Sequence, residues 1–284
     1  MRRTRLGALA HVSAWLLLGA AGPMAAAQQL PAELGREREE YARWLATAPT
    51  SPHAIRALVA VGEGVTLGPG DADIVLPDAA ARRLTERGGT LTLQGPDGST
   101  TVPRGRVTPL DANYRLLATG PAGRTTVAVF GAPRGGKPPA YFPYDASAAL
   151  VVSIDPPVVR KRVPLLGPDG AETVALEAGT VAGDWKGRPF RFTVRRLPGA
   201  SADESELEVF FRDRTSGRTS YDGGRFVTLL PRPDGRYLLD FNRARNPFCA
   251  YSTVFPCPAP WPGNTLDVEV PAGERYERAR PATG

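Results

Sequence analysis

The sequence predicts a mainly β protein, built as an antiparallel sandwich or as barrel-like sheets, with one amphipathic helix at its N-terminus. Three observations support this prediction. Short apolar or alternating runs recur along most of the chain, turn-forming residues interrupt them about every ten residues, and one stretch near the N-terminus has helical periodicity.

The helix is predicted within residues 28–50, packed on the rest of the protein. Apolar residues recur there at helical spacing between charged ones: Leu34, Tyr41, Trp44 and Leu45. Pro31 suits a first helical turn because the first amide of a helix has no intrahelical acceptor. A second, short helix is predicted in the segment DAAARRLTER, which begins at Asp78.

The turns that separate the predicted strands have a recognisable chemistry. GPDG occurs at 95–98 and at 167–170, and PDG occurs at 233–235, which puts proline early in a turn and glycine where φ is positive. We therefore expect one continuous β-rich domain over residues 51–278. The last residues, 279–284, are expected to form a disordered tail.

The first 27 residues resemble an export signal. Arg2, Arg3 and Arg5 precede an apolar stretch, and small residues then lead to a predicted cleavage site before Gln28. Glycine and proline interrupt the apolar stretch, which is too short to span a bilayer. We therefore expect a signal peptide at 1–27, an exported protein in the periplasm or outside the cell, and no membrane span after cleavage.

The charge of the exported chain argues against nucleic acid as a partner. The whole chain has 35 lysines and arginines against 29 acidic residues. Removal of the three N-terminal arginines leaves 32 against 29, a balance of +3 that is scattered along the sequence. Nucleic-acid binding proteins cluster their basic residues on one face. The expected partner is a small molecule, and no cofactor is predicted.

The chain contains only two cysteines, Cys249 and Cys257, which lie eight positions apart. In an exported protein such a pair predicts a disulfide, since oxidising compartments favour the bond. A metal site would need more ligands than the pair supplies, and none is predicted. A cysteine nucleophile would need a base, and outside the signal the only histidine is His53.

Two aspartates follow predicted strands at the points where loops begin. Asp213 follows the apolar run LEVFF, and Asp240 follows YLL. A buried carboxylate in such a place must be paired or must have a raised pKa. Structural ion pairs with Arg225 and Arg243 are one interpretation, and paired catalytic acids are the other. A catalytic pair would need carboxyl groups about 5 to 10 Å apart.

The C-terminal third resembles the bacterial family called domain of unknown function 1684. The resemblance is carried by RDRTSGRTSYDGGRFVTL at 212–229 and by LDFNRARNPFCAYSTVFPCPAPWPGN at 239–264, and weaker matches extend it over nearly the whole mature chain. Arg245 stands where the family usually has tyrosine, and Trp261 stands where it usually has proline. The family supplies no activity to carry over. The resemblance does imply that two segments face each other. One is the hairpin that contains Thr215, Ser216 and Gly217 (the TSG hairpin), and the other is the loop that contains Cys249 and Cys257 (the cysteine-bearing loop).

The sequence leaves three hypotheses for function. The first is a binding module with a polar pocket for a small or sugar-like ligand. The second is an acid/base hydrolase that uses Asp213 and Asp240, and the third is a purely structural protein of the cell envelope. The predicted pocket residues are polar side chains of the C-terminal third: Asp213, Arg225, Asp240, Asn242, Asn246 and Tyr251.

Overall fold

The structure is a computed structural model that describes residues 29–168, 172–198 and 205–277. The predicted signal peptide at 1–27 and the predicted disordered tail at 279–284 lie outside the described residues. Within those residues the protein is mostly β, with antiparallel sheets and one α-helix at the N-terminus, which confirms the predicted fold class.

The predicted N-terminal helix is present as α1, Ala32–Thr47. Pro31 immediately precedes its first turn, and Ala48 ends it in an extended conformation with ψ of 135°. Leu34 and Leu45 are buried, whereas the charged residues between them remain accessible. The apolar stripe therefore fixes which side of α1 lies against the sheets.

The first half of the chain forms two antiparallel-rich sheets around one apolar cluster. One sheet has the strand order β1-β9-β8-β7 and the other β3-β2-β4-β5-β6, in which only β2 and β3 run parallel. Leu67, Leu84 and Leu116 are among the side chains buried between them. The strands are β1 Ile55–Ala60, β2 Val65–Gly68, β3 Ile74–Val75, β4 Arg82–Arg87, β5 Thr90–Gly95, β6 Gly98–Thr101, β7 Val107–Pro109, β8 Arg115–Thr119 and β9 Thr126–Phe130.

The predicted second helix is wrong. The segment that begins at Asp78 forms a turn and then strand β4, which pairs with β2 on one side and β5 on the other. Leu84 is fully buried at the centre of β4. Two flanking strands supply the backbone hydrogen bonds, and this tertiary pairing outweighs the helical propensity of the alanines and arginines.

The second half of the chain forms a nearly closed, barrel-like sheet with the order β11-β18-β17-β16-β15-β14-β12. Only Ser153 separates β11 from β12, so the two ends of this order are one chain segment, and the sheet curls back on itself. The strands of this half are β10 Ala140–Tyr141, β11 Ala149–Val152, β12 Ile154–Asp155, β13 Arg162–Leu166, β14 Glu172–Trp185, β15 Arg188–Pro198, β16 Ser205–Phe211, β17 Arg225–Pro231, β18 Tyr237–Asp240 and β19 Glu274–Arg275. In this half β13 pairs with β14, and β10 and β19 pair with each other in a separate two-stranded sheet.

Aromatic rings fill the interior of the barrel-like sheet. Phe241 lies 5.1 Å from Phe211 and 5.7 Å from Trp185, measured between ring centroids, and all three side chains are buried. A smaller cluster joins the two halves, where Ile55 and Phe130 pack with residues of the cysteine-bearing loop. No helix among the described residues has the length and apolar character needed to cross a membrane.

Candidate functional site

The first pair of predicted site residues, Asp213 and Arg225, forms a fully buried ion pair. Their charged atoms lie 3.3 Å apart, and both side chains have 0% exposure. Asp213 also accepts hydrogen bonds from the amide of Val270, at 2.6 Å, and from the hydroxyl of Thr215. The guanidinium of Arg225 donates to the backbone oxygen of Ala272. Burial lowers the pKa of Arg225, and Asp213 opposes that effect. This pair ties two loops to the sheet.

Asp240 and Asn242 stabilise the chain where β18 ends. Asp240 caps the 3-10 helix Phe241–Arg243, accepting 2.9 Å hydrogen bonds from the amide and the side chain of Asn242. The side chain of Asn242 in turn forms two hydrogen bonds with the backbone of Asp145. Its Oδ1 accepts from the amide of Asp145, and its Nδ2 donates to the backbone oxygen of the same residue. Asn242 is fully buried, and its side-chain groups are satisfied inside the protein.

Glu274 is a site residue that the sequence alone did not single out. It is fully buried, and it accepts hydrogen bonds from the amide of Asn246, at 2.8 Å, and from the hydroxyl of Tyr251. Burial raises the pKa of Glu274 to about 7. Burial and the charge of Glu274 raise the pKa of Tyr251 as well. The place of Glu274 in the segment AGE at 272–274, which the resemblance to the family also includes, was the only sequence signal.

A glycine brings Glu274 into this position. Gly273 has φ of 77°, a left-handed conformation that favours glycine. A Cβ at this position would lie 2.5 Å from the backbone oxygen of Phe241 and 2.8 Å from that of Ala244. The chain can pass this close to the 3-10 helix only because residue 273 has no side chain.

The predicted disulfide is not formed in the structure, where Cys249 and Cys257 are both free. The spacing does bring the thiols together, and both sulfurs contact the hydroxyl of Tyr221, at 3.3 Å and 3.2 Å. Each thiol thus has a hydrogen-bonding neighbour in place of a covalent one. Burial raises the pKa of Cys249 to about 12, which disfavours the thiolate that disulfide chemistry requires. The same contacts place the TSG hairpin against the cysteine-bearing loop.

A cavity of about 640 Å³ opens between α1 and the strands β16 and β17. It lies on the outer face of the sheet, because side chains alternate along a strand. Leu207 and Val209 point into the barrel core, whereas Glu206 and Glu208 line the cavity. Its volume is in the range of pockets that hold small ligands.

The two glutamates form the floor of the cavity on β16. Glu208 is 4% exposed and accepts a 2.7 Å hydrogen bond from Thr228, its partner on β17, through Oε1. Its other oxygen, Oε2, is buried and accepts no hydrogen bond from the described residues. Glu206 lies two residues away on the same face of β16 and also lines the cavity. Burial raises the pKa of Glu208 to about 8, with Glu206 adding to the effect.

Aromatic and basic side chains complete the wall. Trp44 stacks on Tyr41 at 5.7 Å between centroids and also contacts Phe248. The guanidinium of Arg245 lies over the Tyr41 ring, 4.7 Å from its centroid. Asn246 is buried, and its Oδ1 has no hydrogen-bond partner among the described residues.

Of the six predicted pocket residues, only Asn246 lines this cavity. Glu274 connects Tyr251 to Asn246, since it accepts hydrogen bonds from both. Contacts inside the protein occupy the other four residues: Asp213, Arg225, Asp240 and Asn242. Residues 29–168, 172–198 and 205–277 contain no group of three or more His, Cys, Asp or Glu side chains arranged to hold a metal ion.

Residues 139–275 of the chain match the model of the family DUF1684, described as a protein of unknown function. The matched part contains the buried network and the β16–β17 side of the cavity, whereas the α1 side of the cavity lies outside it. The match covers about half of the chain, from β10 to β19, and not nearly the whole mature chain as the resemblance predicted. No curated protein matches the chain.

One solved structure similar to this chain is the solution NMR structure of an uncharacterized protein from Haloarcula marismortui. The two are 38% identical over a match that covers 49% of this chain and 76% of the other, with a TM-score of 0.42. Through residues 139–275, the chain belongs to the DUF1684 family.

Proposed function

We propose that this protein is a binding module for a small, sugar-like ligand and that the ligand occupies the cavity between α1 and β16–β17. The observation that carries the proposal is the unsatisfied polar chemistry of the cavity wall. Asn246 Oδ1 and Glu208 Oε2 are buried acceptor atoms that receive no hydrogen bond from the described part of the chain, and such atoms cost free energy unless something pairs with them. Hydroxyl groups of a ligand can supply that pairing.

The aromatic wall supports the same ligand class. Trp44 and Tyr41 present ring surface beside these polar atoms, and sugar rings have apolar C–H faces that pack against aromatic rings. Binding sites of this kind combine a mostly apolar lining with a few oriented polar groups. The Asp213–Arg225 pair lends no support to a hydrolase, since both side chains are fully buried and bonded to protein groups.

A thermal-shift screen with monosaccharides and cell-wall sugars tests the proposal. We expect at least one sugar to raise the melting temperature of the wild type, since a ligand that binds only the folded state stabilises it. Trp44→Ala should abolish the shift, whereas Trp261→Phe, a change in a buried ring outside this cavity, should preserve it. If no sugar stabilises the wild type, the binding proposal fails and a structural envelope role is favoured.

We also propose that the protein is exported and that Cys249 and Cys257 pair in an oxidising compartment. The two thiols already share the hydroxyl of Tyr221, and Cys257 is exposed to thiol oxidants, which would accept the two electrons and two protons released. Thiol labelling of protein recovered from the periplasm under denaturing, non-reducing conditions should find no free cysteine. Two labelled thiols would overturn this proposal.

A further inference from the structure

The wall formed by Glu206 and Glu208 has a property beyond simple polarity. Both side chains lie on the same face of β16, two residues apart, and both line the cavity. The buried Oε2 of Glu208 accepts no hydrogen bond from the described residues, and burial raises the pKa of this carboxyl to about 8. Burial makes Glu208 the member that holds the proton, and Glu206, which is exposed, is open to the cavity.

The arginines around this pair are positioned against other groups. Arg195, which faces Glu208 from β15, lies over the Trp261 ring, 4.6 Å from its centroid. Four glutamates and two arginines line the cavity. Arg243 is occupied by ion pairs with Glu37 and Asp240. Arg245 takes part in no ion pair formed by the described residues and lies over the Tyr41 ring, on the side of α1. It lowers the pKa of Glu208, but burial and Glu206 outweigh it.

We propose that the cavity selects ligands with a primary ammonium group, such as amino sugars, and that the ammonium bridges Glu206 and Glu208 in place of the proton on Glu208. An ammonium has three donors, enough to bridge both carboxylates, and hydrogen bonds between charged partners are the stronger kind. The neighbouring rings of Trp44 and Phe248 favour a cation for a second reason, the attraction of positive charge to aromatic faces. This inference rests on the proposed sugar-binding function and narrows its ligand class.

Proton release distinguishes this exchange from ordinary charge attraction. If the ammonium displaces the proton on Glu208, binding releases about one proton per ligand. The measured binding enthalpy then depends on the ionisation enthalpy of the buffer. A neutral sugar in the same cavity leaves the proton in place and shows no such dependence.

The experiment is isothermal titration calorimetry of the wild-type protein with D-glucosamine, D-glucose and N-acetyl-D-glucosamine. It is run at about pH 6.5, where Glu208 holds its proton, in phosphate and in Tris-type buffers. We expect D-glucosamine to bind at least about tenfold more tightly than the two neutral sugars, as a gained charge-assisted hydrogen bond requires. Only D-glucosamine should show buffer-dependent heat.

Two variants sharpen the result. Glu208→Gln has no acid proton to release and no charge to pair with an ammonium, so it should lose both the proton release and the preference for D-glucosamine. Glu40→Gln removes an exposed charge of the same cavity and should keep both properties.

Each outcome separates the two proposals. Equal affinity for all three sugars, without buffer dependence, would overturn the ammonium inference and leave the sugar-binding proposal intact. If none of the three sugars binds, the sugar-binding proposal itself is contradicted.

Discussion

Two buried acidic groups near strand β16 differ in how they are satisfied. Asp213, which follows the C-terminal end of the strand, accepts hydrogen bonds from Val270, Thr215 and Arg225, and its pair with Arg225 is closed to solvent. Glu208 lies within the strand. One of its carboxyl oxygens accepts a hydrogen bond from Thr228, whereas the other has no donor among the described residues. Burial alone therefore does not mark a functional carboxylate, and incomplete pairing beside a cavity is the better indicator.

The largest expected effect tests the closed pair. Asp213→Ala should lower the free energy of unfolding by about 3–5 kcal/mol, because it leaves the guanidinium of Arg225 buried without a counter-charge. Urea denaturation followed by tryptophan fluorescence measures the change. Asp213→Asn, which keeps an acceptor in nearly the same shape, provides a milder variant if the alanine protein does not fold. A loss under about 1 kcal/mol in both would contradict the structural role.

The second prediction concerns the open pair and its response to pH. The pKa of Glu208 is raised from 4.5 to about 8 in the folded protein, so the folded state keeps a proton that the unfolded chain releases between those values. Stability should therefore fall as pH rises from about 4.5 to about 8, by up to about 1.4 kcal/mol per pH unit. Glu274, whose pKa is raised to about 7, contributes in the same direction over the lower part of that range.

Glu208→Gln isolates the contribution of this one carboxyl. The variant should be less sensitive to pH than the wild type across the same range, since glutamine does not titrate. Urea midpoints measured at several pH values in both proteins give the comparison. Parallel profiles would show that Glu208 does not hold the proton.

The smallest expected effect comes from an ion pair next to the closed one. Arg214 and Asp267 approach to 2.7 Å, closer than Asp213 and Arg225, but their side chains are 60% and 86% exposed. Arg214→Gln should change the free energy of unfolding by less than about 1 kcal/mol, because water screens exposed charges. The same urea measurement serves. A loss as large as that of Asp213→Ala would mean that distance, and not burial, decides the contribution.

The sequence predicted the architecture well where the signal was local. The apolar spacing of α1 and the turn residues between strands are patterns of neighbouring residues, and they identified the fold class. The segment after Asp78 failed because its strand pairing depends on β2 and β5, which no local pattern reveals.

The candidate site was less accessible to sequence reasoning. Polar residues near strand ends drew attention to Asp213 and Asp240, but loop position says nothing about whether a carboxylate is already paired. Glu208 lies inside a strand in an alternating run, where a charged residue looks like an ordinary solvent-facing position. The cavity that it lines has its other side on α1, a helix that lies far away in the sequence.

The sequence by itself determined the helix, most strands and membership of a family, because these depend on the order of side chains along the chain. Only the tertiary structure decided which polar groups are satisfied. Asn246 meets Glu274, and Arg225 meets Ala272, across separations of 28 and 47 residues. Burial and hydrogen-bond partners are properties of such distant contacts, and they leave Glu208 and Asn246 beside a cavity with polar atoms still unpaired.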